Sequence, residues 1–238
     1  MNTLKNIKAL TFDVFGTVVD WRSSVAREIS IMGSKKGFTL DWHSFPDEWR
    51  NGYAPSMNEV RTGKIDWQNL DSLHRKILDE LLKRNNIETL TEEEKEYLNK
   101  SWHRLDPWED SVEGLTKLKG KFIITPLSNG NVSLLLNMAK YARLPWDTIL
   151  SAELVHRYKP DPETYMSASV LLDIPINEIM MVAAHKKDLF NANSLGMATA
   201  YIPRPFEHGP GIQPDLNTEE YIDITAIDFL DLYNQLMI

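Results

Sequence analysis

Four short apolar runs constrain the fold of this chain more than any other feature. Each run is continuously apolar rather than alternating, which is typical of strands covered on both faces of a parallel sheet. Helical patterns separate the later runs, and this alternation predicts an α/β fold with a doubly wound, Rossmann-like parallel-sheet core. The runs are IKALTFDVF (7–15), KFIITPLS (121–128), EIMMVAAH (178–185) and ATAYIP (198–203).

The helical segments between these strands have recognisable ends. Asp161 is a candidate N-cap, and Pro162 suits the first helical turn that follows it. Gly196 is typical of a residue at which a helix stops. We therefore predict helices over 131–144, 161–173 and 187–196.

A long stretch after the first strand has a different character. It is rich in charges and tryptophans, and its apolar residues recur at helical spacing in DWQNLDSLHRKILDELLKRN (66–85). A second segment, TEEEKEYLNKSWHRL (91–105), opens with Thr91 and Glu94, the two residues of a capping box. The sequence therefore predicts a block of helices at this place.

This helical block is expected to form a cap. We predict that residues 20–104 are inserted as a helical cap domain into a core built from residues 1–19 and 105–238. In open α/β sheets, ligands bind outside the carboxyl ends of the strands, where this cap can cover them. Near the end of the chain, residues 206–220 are predicted to be a loop, followed by a short strand and a closing helix.

Composition argues against several classes of partner. The 26 Lys and Arg against 34 Asp and Glu leave a net charge of -8, which disfavours nucleic acid as a partner. The chain contains no cysteine, so disulfides, thiolate catalysis and Cys-ligated zinc are excluded. No run is long enough to span a membrane, and the segment around Lys5 and Lys8 lacks the features of a signal peptide. We expect a soluble cytoplasmic protein with no membrane partner.

Reactive side chains follow the ends of the predicted strands. Because the carboxyl ends of parallel strands meet at one edge of the sheet, these side chains can converge on one pocket. Two carboxylates, a lysine, a hydroxyl and an amide suit covalent catalysis by a carboxylate that a nearby lysine keeps ionised. The five histidines other than His185 are scattered, and none is spaced with a second ligand, so we predict no metal site. The converging residues are Asp13, Ser128, Asn129, Lys159, His185 and Asp188.

Four ordered motifs resemble the haloacid dehalogenase superfamily, and within it the L-2-haloacid dehalogenases (type II). The similarity extends over most of the chain and includes the cap segment EWRNGYAPSM (48–57). One well-known form of this family carries Ser and Asn at the positions of Ala183 and His185. The motifs are DVFGTV (13–18), LSNGN (127–131), YKPDPETY (158–165) and MVAAHKKDL (181–189).

The resemblance implies four catalytic residues. Asp13 would be the nucleophile that displaces halide from C2 with inversion, and Thr17 would orient it through a hydrogen bond. Lys159 would balance the negative charge of Asp13 and of the substrate. Asp188 would place the hydrolytic water or anchor Lys159.

The resemblance also implies six residues that bind the substrate or the halide. Arg50 would reach from the cap to receive the leaving halide, helped by Asn129. Ser128 would bind the substrate carboxylate or steady Asp13, and Tyr165 would shape the site through its hydroxyl. Phe15 would line the pocket, and His185 belongs to the same binding group.

The function implied is hydrolytic dehalogenation of short 2-haloalkanoic acids to 2-hydroxy acids through an aspartyl ester, with no cofactor. The substrate partner would be a small halogenated carboxylic acid, and a homodimer is a state common among the similar proteins. A phosphatase acting on a small phosphate ester is the alternative, but Phe15 stands where phosphatases carry a second acid and Ala184 where they carry a magnesium ligand. A third hypothesis is a non-catalytic relative that binds a small carboxylate or a protein partner.

Overall fold

Strands and helices alternate along the core, and a block of helices interrupts them after the first strand. The computed structural model describes residues 3–237. In chain order its strands and helices are β1 (Ala9–Phe12), β2 (Val19–Asp20), α1 (Trp21–Lys36), α2 (Ser44–Arg61), α3 (Leu70–Arg84), α4 (Glu92–Asn99), β3 (Asp106–Pro107), α5 (Ser111–Lys119), β4 (Ile123–Ser128), α6 (Val132–Ala142), β5 (Leu150–Ser151), α7 (Pro162–Leu172), β6 (Ile179–Ala183), α8 (Lys186–Ser194), β7 (Ala198–Tyr201), β8 (Ile224–Thr225) and α9 (Phe229–Leu236). Short 3₁₀ helices occupy Thr3–Asn6, Lys100–His103, Ala152–Leu154 and Ile176–Glu178.

Six of the strands form one parallel sheet in the order β5-β4-β1-β6-β7-β8. Strand β1 pairs with β4 on one side and with β6 on the other, and both pairings are parallel. After β1, the chain therefore adds β4 and β5 on one side of the sheet, and then crosses over to add β6, β7 and β8 on the other side. This arrangement confirms the predicted doubly wound core, and it creates a crevice at the carboxyl end of β1, the place where such sheets bind ligands.

The strands are apolar throughout because both faces of the sheet are covered. All four residues of β1 and all five of β6 are buried. Successive residues of β6 point to opposite faces, so Met180 and Val182 pack in one apolar cluster while Ile179 and Met181 pack in another. The first cluster continues into the cap and includes Trp49, so the cap and the sheet share one core.

The predicted helical cap is present between β1 and β4. Its four helices α1 to α4 leave and return through an antiparallel ribbon in which β2 pairs with β3, with Val19 opposite Pro107 and Asp20 opposite Asp106. The ribbon lies next to the predicted limits of the cap. The division into residues 1–19, 20–104 and 105–238 stays a prediction.

Several helix ends agree with their sequence signals. The Thr91 hydroxyl and the Glu94 carboxylate form both hydrogen bonds of the capping box at the start of α4. Gly196 has a φ of +91°, the left-handed conformation expected just beyond a helix. Asp161 occupies the N-cap position of α7, but its side chain makes no capping hydrogen bond and instead accepts one from Arg61 at 2.8 Å.

The closing part of the chain also agrees with its prediction. Residues 206–220 contain neither helix nor strand, and β8 and α9 follow them. None of the helices in residues 3–237 combines the length and the apolar character that crossing a membrane requires.

Candidate active site

A cavity of about 300 Å³ lies at the carboxyl ends of the central strands, beneath helix α2 of the cap. Three predicted site residues, Phe15, Thr17 and Ser128, are buried but do not line it. The structure therefore brings most of the predicted residues to one place. The seven that line the cavity are Asp13, Arg50, Asn129, Lys159, Tyr165, His185 and Asp188.

Asp13 occupies the centre of the site, directly after β1. Its carboxylate is only 8% exposed and is hydrogen-bonded on both oxygens. Lys159 Nζ donates to Oδ1 at 3.1 Å, whereas Thr17 Oγ1 at 2.9 Å and His185 Nδ1 at 2.9 Å contact Oδ2. Burial would raise the pKa of Asp13, but Lys159, His185 and Thr17 together lower it well below its usual range. Asp13 is therefore ionised at neutral pH.

A tight loop after Asp13 places Thr17 beside the carboxylate of Asp13. Val18 and Val19 both donate backbone hydrogen bonds to the carbonyl of Val14, at 2.9 and 3.3 Å. Gly16 has a φ of +87° in this loop, a conformation that glycine adopts without steric cost. A Cβ at Gly16 would also lie 2.0 Å from the Glu207 carboxylate, so the close approach of Glu207 requires glycine here.

Lys159 links the two carboxylates of the site. Its ammonium lies 2.5 Å from Asp188 Oδ2 as well as 3.1 Å from Asp13. Burial would lower the pKa of Lys159, but the two carboxylates raise it, so the ammonium stays charged. Tyr165 donates its hydroxyl to Asp188 Oδ1 at 2.6 Å. Burial and repulsion from Asp13 raise the pKa of Asp188, although Lys159 opposes this shift.

Arg50 reaches the cavity from α2 in the cap. Its guanidinium carbon lies 4.2 Å from the Tyr53 ring centroid, 5.6 Å from that of Phe15 and 5.7 Å from that of Trp21. Its Nη1 is buried, and within residues 3–237 it has no hydrogen-bond partner. Since buried donors are almost always paired, an unpaired cationic N–H beside a cavity indicates a site for an anion.

His185 lies between two carboxylates. Its Nδ1 contacts Asp13, and its Nε2 lies 2.9 Å from Oε1 of Glu207, a residue that is 5% exposed. Burial would lower the pKa of His185, but the two carboxylates raise it to about 10. The sequence indicated His185 as a substrate-binding residue, whereas both of its ring nitrogens contact protein carboxylates.

Ser128 and Asn129, at the end of β4, have different environments. Asn129 lines the cavity, accepts a hydrogen bond from the backbone of Lys159 at 2.7 Å, and places its Nδ2 3.3 Å from Met57 Sδ. Ser128 lies behind this surface, and its Oγ accepts a hydrogen bond from the Gly130 backbone at 3.2 Å. Its predicted contact with a substrate carboxylate stays a prediction.

Several residues of the cavity were missed from the sequence. Tyr53 and Arg61 line it, and Glu207 supports it from the 206–220 loop. Lys187, which the fourth motif placed near the site without a defined role, also lines it. Tyr53 lies in the segment EWRNGYAPSM, three residues after Arg50, so helical spacing could have indicated it. The loop offers no such periodicity for Glu207.

The donor set of the site is poor in metal ligands. Among residues 3–237, no group of three or more His, Cys, Asp and Glu side chains is arranged to hold a metal ion. Phe15 and Ala184 provide no oxygen-bearing side chain at the two positions where phosphatases of the resembled superfamily carry carboxylates.

Comparisons with known proteins agree with this architecture. Residues 7–183 match the family model of the haloacid dehalogenase-like hydrolases. The (S)-2-haloacid dehalogenase 4A of Burkholderia cepacia is 30% identical over 203 residues, which cover 84% of each chain. The crystal structure of a defluorinating L-2-haloacid dehalogenase is 43% identical, with a TM-score of 0.95 over 98% of this chain and 96% of that one. A second L-2-haloacid dehalogenase structure is 44% identical, with a TM-score of 0.93 over 97% and 99% of the two chains. The chain therefore belongs to the haloacid dehalogenase-like hydrolase family.

Proposed function

We propose that this protein hydrolyses the carbon–halogen bond of short 2-haloalkanoic acids and releases 2-hydroxy acids and halide. One observation carries the proposal. A buried, ionised Asp13 and a buried, unpaired guanidinium N–H of Arg50 line the same small cavity. Displacement at carbon requires a nucleophile and a receptor for the departing anion, and these two groups supply them.

The first step forms an ester between Asp13 and the substrate. An oxygen of Asp13 attacks C2, the carbon–halogen bond breaks with its electron pair going to the halide, and the configuration at C2 inverts. Lys159 supports this step because its ammonium keeps Asp13 ionised. Arg50 and the Nδ2 of Asn129 are the donors available to the halide, since the protein contacts of Asn129 Nδ2 are a sulfur at 3.3 Å and a carbonyl at 3.4 Å.

The second step hydrolyses the ester. Water attacks Cγ of Asp13, and Asp188 accepts the proton of this water, because Asp13 is esterified at this stage and Asp188 is the other carboxylate of the cavity lining. Lys159 and Tyr165 hold Asp188 in place. The proton then passes to the departing alkoxide, and the acid regenerated at Asp13 ionises. One water is consumed, and one proton and one halide are released.

The cavity favours a small anionic substrate. Its volume of about 300 Å³ suits a short acid. Lys187 adds positive charge to its lining, which attracts a carboxylate although the whole chain has a net charge of -8. Since relatives are named (S)-2-haloacid dehalogenases, we expect the (S) configuration to be preferred.

The remaining site residues are proposed to support these steps. Thr17 orients Asp13, Phe15 backs Arg50 and keeps the halide side apolar, and Ser128 steadies the strand end that carries Asn129. The homodimer implied by the resemblance and the cytoplasmic location expected from the sequence stay predictions. Sedimentation velocity and cell fractionation test them.

Halide release tests the proposed function. Purified protein is incubated with L- and D-2-chloropropionate, chloroacetate and fluoroacetate, each with and without a metal chelator, beside Asp13→Asn as the inactive control. We expect halide release from the L substrate that the chelator does not change. Release of phosphate from small phosphate esters that stops with chelator would instead identify a phosphatase. Turnover of neither substrate set would indicate a non-catalytic relative.

A further inference from the structure

The two carboxylates around His185 determine the protonation of its ring. Asp13 contacts Nδ1 at 2.9 Å, and Glu207 contacts Nε2 at 2.9 Å. An ionised carboxylate can only accept hydrogen bonds, so both ring nitrogens must carry hydrogen for both contacts to be made. His185 therefore presents a cationic N–H to the nucleophile.

The two oxygens of Asp13 are held differently. Oδ2 accepts from both Thr17 and His185, whereas Lys159, at the longer distance of 3.1 Å, is the one donor to Oδ1 among residues 3–237. The backbone N–H of Ala184 donates to Thr17 Oγ1 at 2.8 Å, which leaves the Thr17 hydrogen for Asp13. Since each carboxylate oxygen offers about two acceptor positions, Oδ1 keeps one free for attack on carbon and Oδ2 has none.

We propose that His185 is a catalytic residue of ester hydrolysis, in which its imidazolium and the Thr17 hydroxyl form an oxyanion hole around Asp13 Oδ2. Glu207 is the positioning residue that keeps this imidazolium charged and directed at Oδ2. This inference rests on the proposed function, because it assigns a role within the hydrolysis of the aspartyl ester.

Hydrolysis of the ester begins with addition of water to Cγ of Asp13. Oδ1 carries the substrate carbon in the ester, and Oδ2 is the ester carbonyl oxygen. Water bonds to Cγ, the carbonyl π pair moves to Oδ2, and the negative charge develops between the Thr17 and His185 donors. When the pair returns, the Cγ–Oδ1 bond breaks and Oδ1 leaves with the product. The water proton reaches the leaving alkoxide through Asp188.

Glu207 matters most after the ester has formed. Esterification removes the negative charge of Asp13, so Glu207 becomes the carboxylate that still holds His185 protonated. Its position is well defined, because it is buried and accepts a hydrogen bond from Trp21 Nε1 at 3.2 Å. The form of the family with Asn at this position has a neutral donor there, whereas this chain has a charged one.

Accumulation of the ester tests the role of His185. In His185→Ala, we expect halide release of about one equivalent per active site at nearly the wild-type rate. Ester hydrolysis should then be about 100- to 1000-fold slower, the typical loss of one oxyanion donor. Intact-mass spectrometry should show the adduct on the protein. His185→Asn keeps a neutral donor and should lose less, while His43→Ala, at an exposed position, should behave as wild type.

A second variant keeps the test decisive if His185→Ala does not fold. The double variant His185→Ala/Glu207→Gln removes the carboxylate that would otherwise be left buried and unpaired, so it replaces the single variant if that one does not fold. A folded variant with slow halide release and no adduct would overturn the inference and leave the proposed function intact. Absence of halide release from the wild-type protein would overturn both.

The pH profile tests Glu207. In the wild-type ester, Glu207 still holds His185 protonated, so ester hydrolysis should be flat between about pH 6 and 8. Glu207→Gln lowers the pKa of His185, so hydrolysis should fall as the pH rises through this range. A loss that is equal at every pH would assign Glu207 a purely structural role and overturn its part of the inference. The acidic and basic residues that share a cavity with His185 are Asp13, Arg50, Arg61, Lys159, Lys186, Lys187, Asp188, Arg204, Glu207, His208 and Asp215.

Discussion

Replacing Arg50 by methionine should separate activity from stability. Methionine keeps an unbranched stem that can pack against Tyr53, Phe15 and Trp21, but it removes the guanidinium. The unpaired Nη1 of Arg50 is buried, so its attraction for a departing halide is not weakened by competing protein or solvent contacts. In the variant, formation of the ester and release of halide should therefore be slower.

The expected magnitude follows from this geometry. Removing one preorganised donor aimed at a developing charge costs about 100- to 1000-fold in rate, or about 2.7–4 kcal/mol. Stability should change little by comparison, because removing an unsatisfied buried donor gains about 1–3 kcal/mol while the lost stacking on Tyr53 costs about 0.5–2 kcal/mol. The free energy of unfolding should thus lie between about 1 kcal/mol lower and about 2.5 kcal/mol higher than in the wild type.

The assay combines halide-release kinetics with urea denaturation. Turnover should fall with little change in KM, because the interaction is made with the leaving halide rather than with the bound acid. Arg50→Lys should recover only part of the rate, since a point charge on a flexible stem replaces a planar donor. Arg75→Met is the matched control, because Arg75 pairs with Asp79 and Glu92 at the cap surface. Arg61 lines the cavity and cannot serve as a control.

A folded Arg50→Met protein that releases halide at the wild-type rate would refute this reasoning. So would a large loss of stability without a change in rate, because Arg50 would then be a packing residue. Thermal denaturation with added bromide gives an independent check. Bromide should raise the melting temperature of the wild type and not that of the variant, since a ligand stabilises only the protein that binds it.

Single-turnover hydrolysis in isotopically labelled water should place the label in Asp13, because water attacks its Cγ; label found directly in the hydroxy acid would exclude the ester. The stabilisation from Asp13, whose pKa is lowered from 3.8, should be complete above about pH 4 and should disappear as the pH falls further. The stabilisation from His185, whose pKa is raised from 6.5 to about 10, should be complete below pH 6.5 and should decline as the pH rises towards 10. Urea denaturation of His185→Gln should show a flatter alkaline limb, and an unchanged limb would contradict this assignment. Arg204→Met should cost about 3–5 kcal/mol of unfolding free energy, because it leaves the Asp110 carboxylate, 11% exposed and bound at 2.6 and 3.0 Å, without its charge partner. The exposed Arg27→Met is its control, with an expected loss below about 1 kcal/mol.

The sequence predicted the core of the site because sheet geometry determines it. Asp13 follows a buried strand, and Lys159 and Asp188 follow segments that return to the same edge of the sheet. Parallel pairing brings such positions together whatever the details of the loops. Helix α1 lies in the predicted helical block, but its own bounds were not predicted. Its buried residues at helical spacing are Trp21, Val25, Ile29 and Met32.

Other parts of the site could not be derived from local patterns. Arg50 was found only through the family resemblance, because it lies among many charged residues of the cap. Glu207 lies in a loop without periodicity, and its contacts with His185 and Trp21 cross 22 and 186 residues of sequence. Contacts of this kind depend on how the closing loop packs over the sheet, which single-residue propensities do not report.

The ribbon of β2 and β3 has an evolutionary consequence. Because Cα atoms paired across antiparallel strands are about 4.5–5.5 Å apart, the chain leaves the core and re-enters it at nearly one point. The entropy of closing a loop depends only weakly on its length, so a lineage can enlarge, trim or exchange the inserted helices without disturbing the sheet. Such an exchange would replace Arg50, which lies in the inserted helices. It would leave in place Asp13, Lys159 and Asp188. The nucleophile and the halide-binding residue thus belong to separable parts of the chain. A different cap inserted at this ribbon would change the site of the leaving group and would keep the nucleophile.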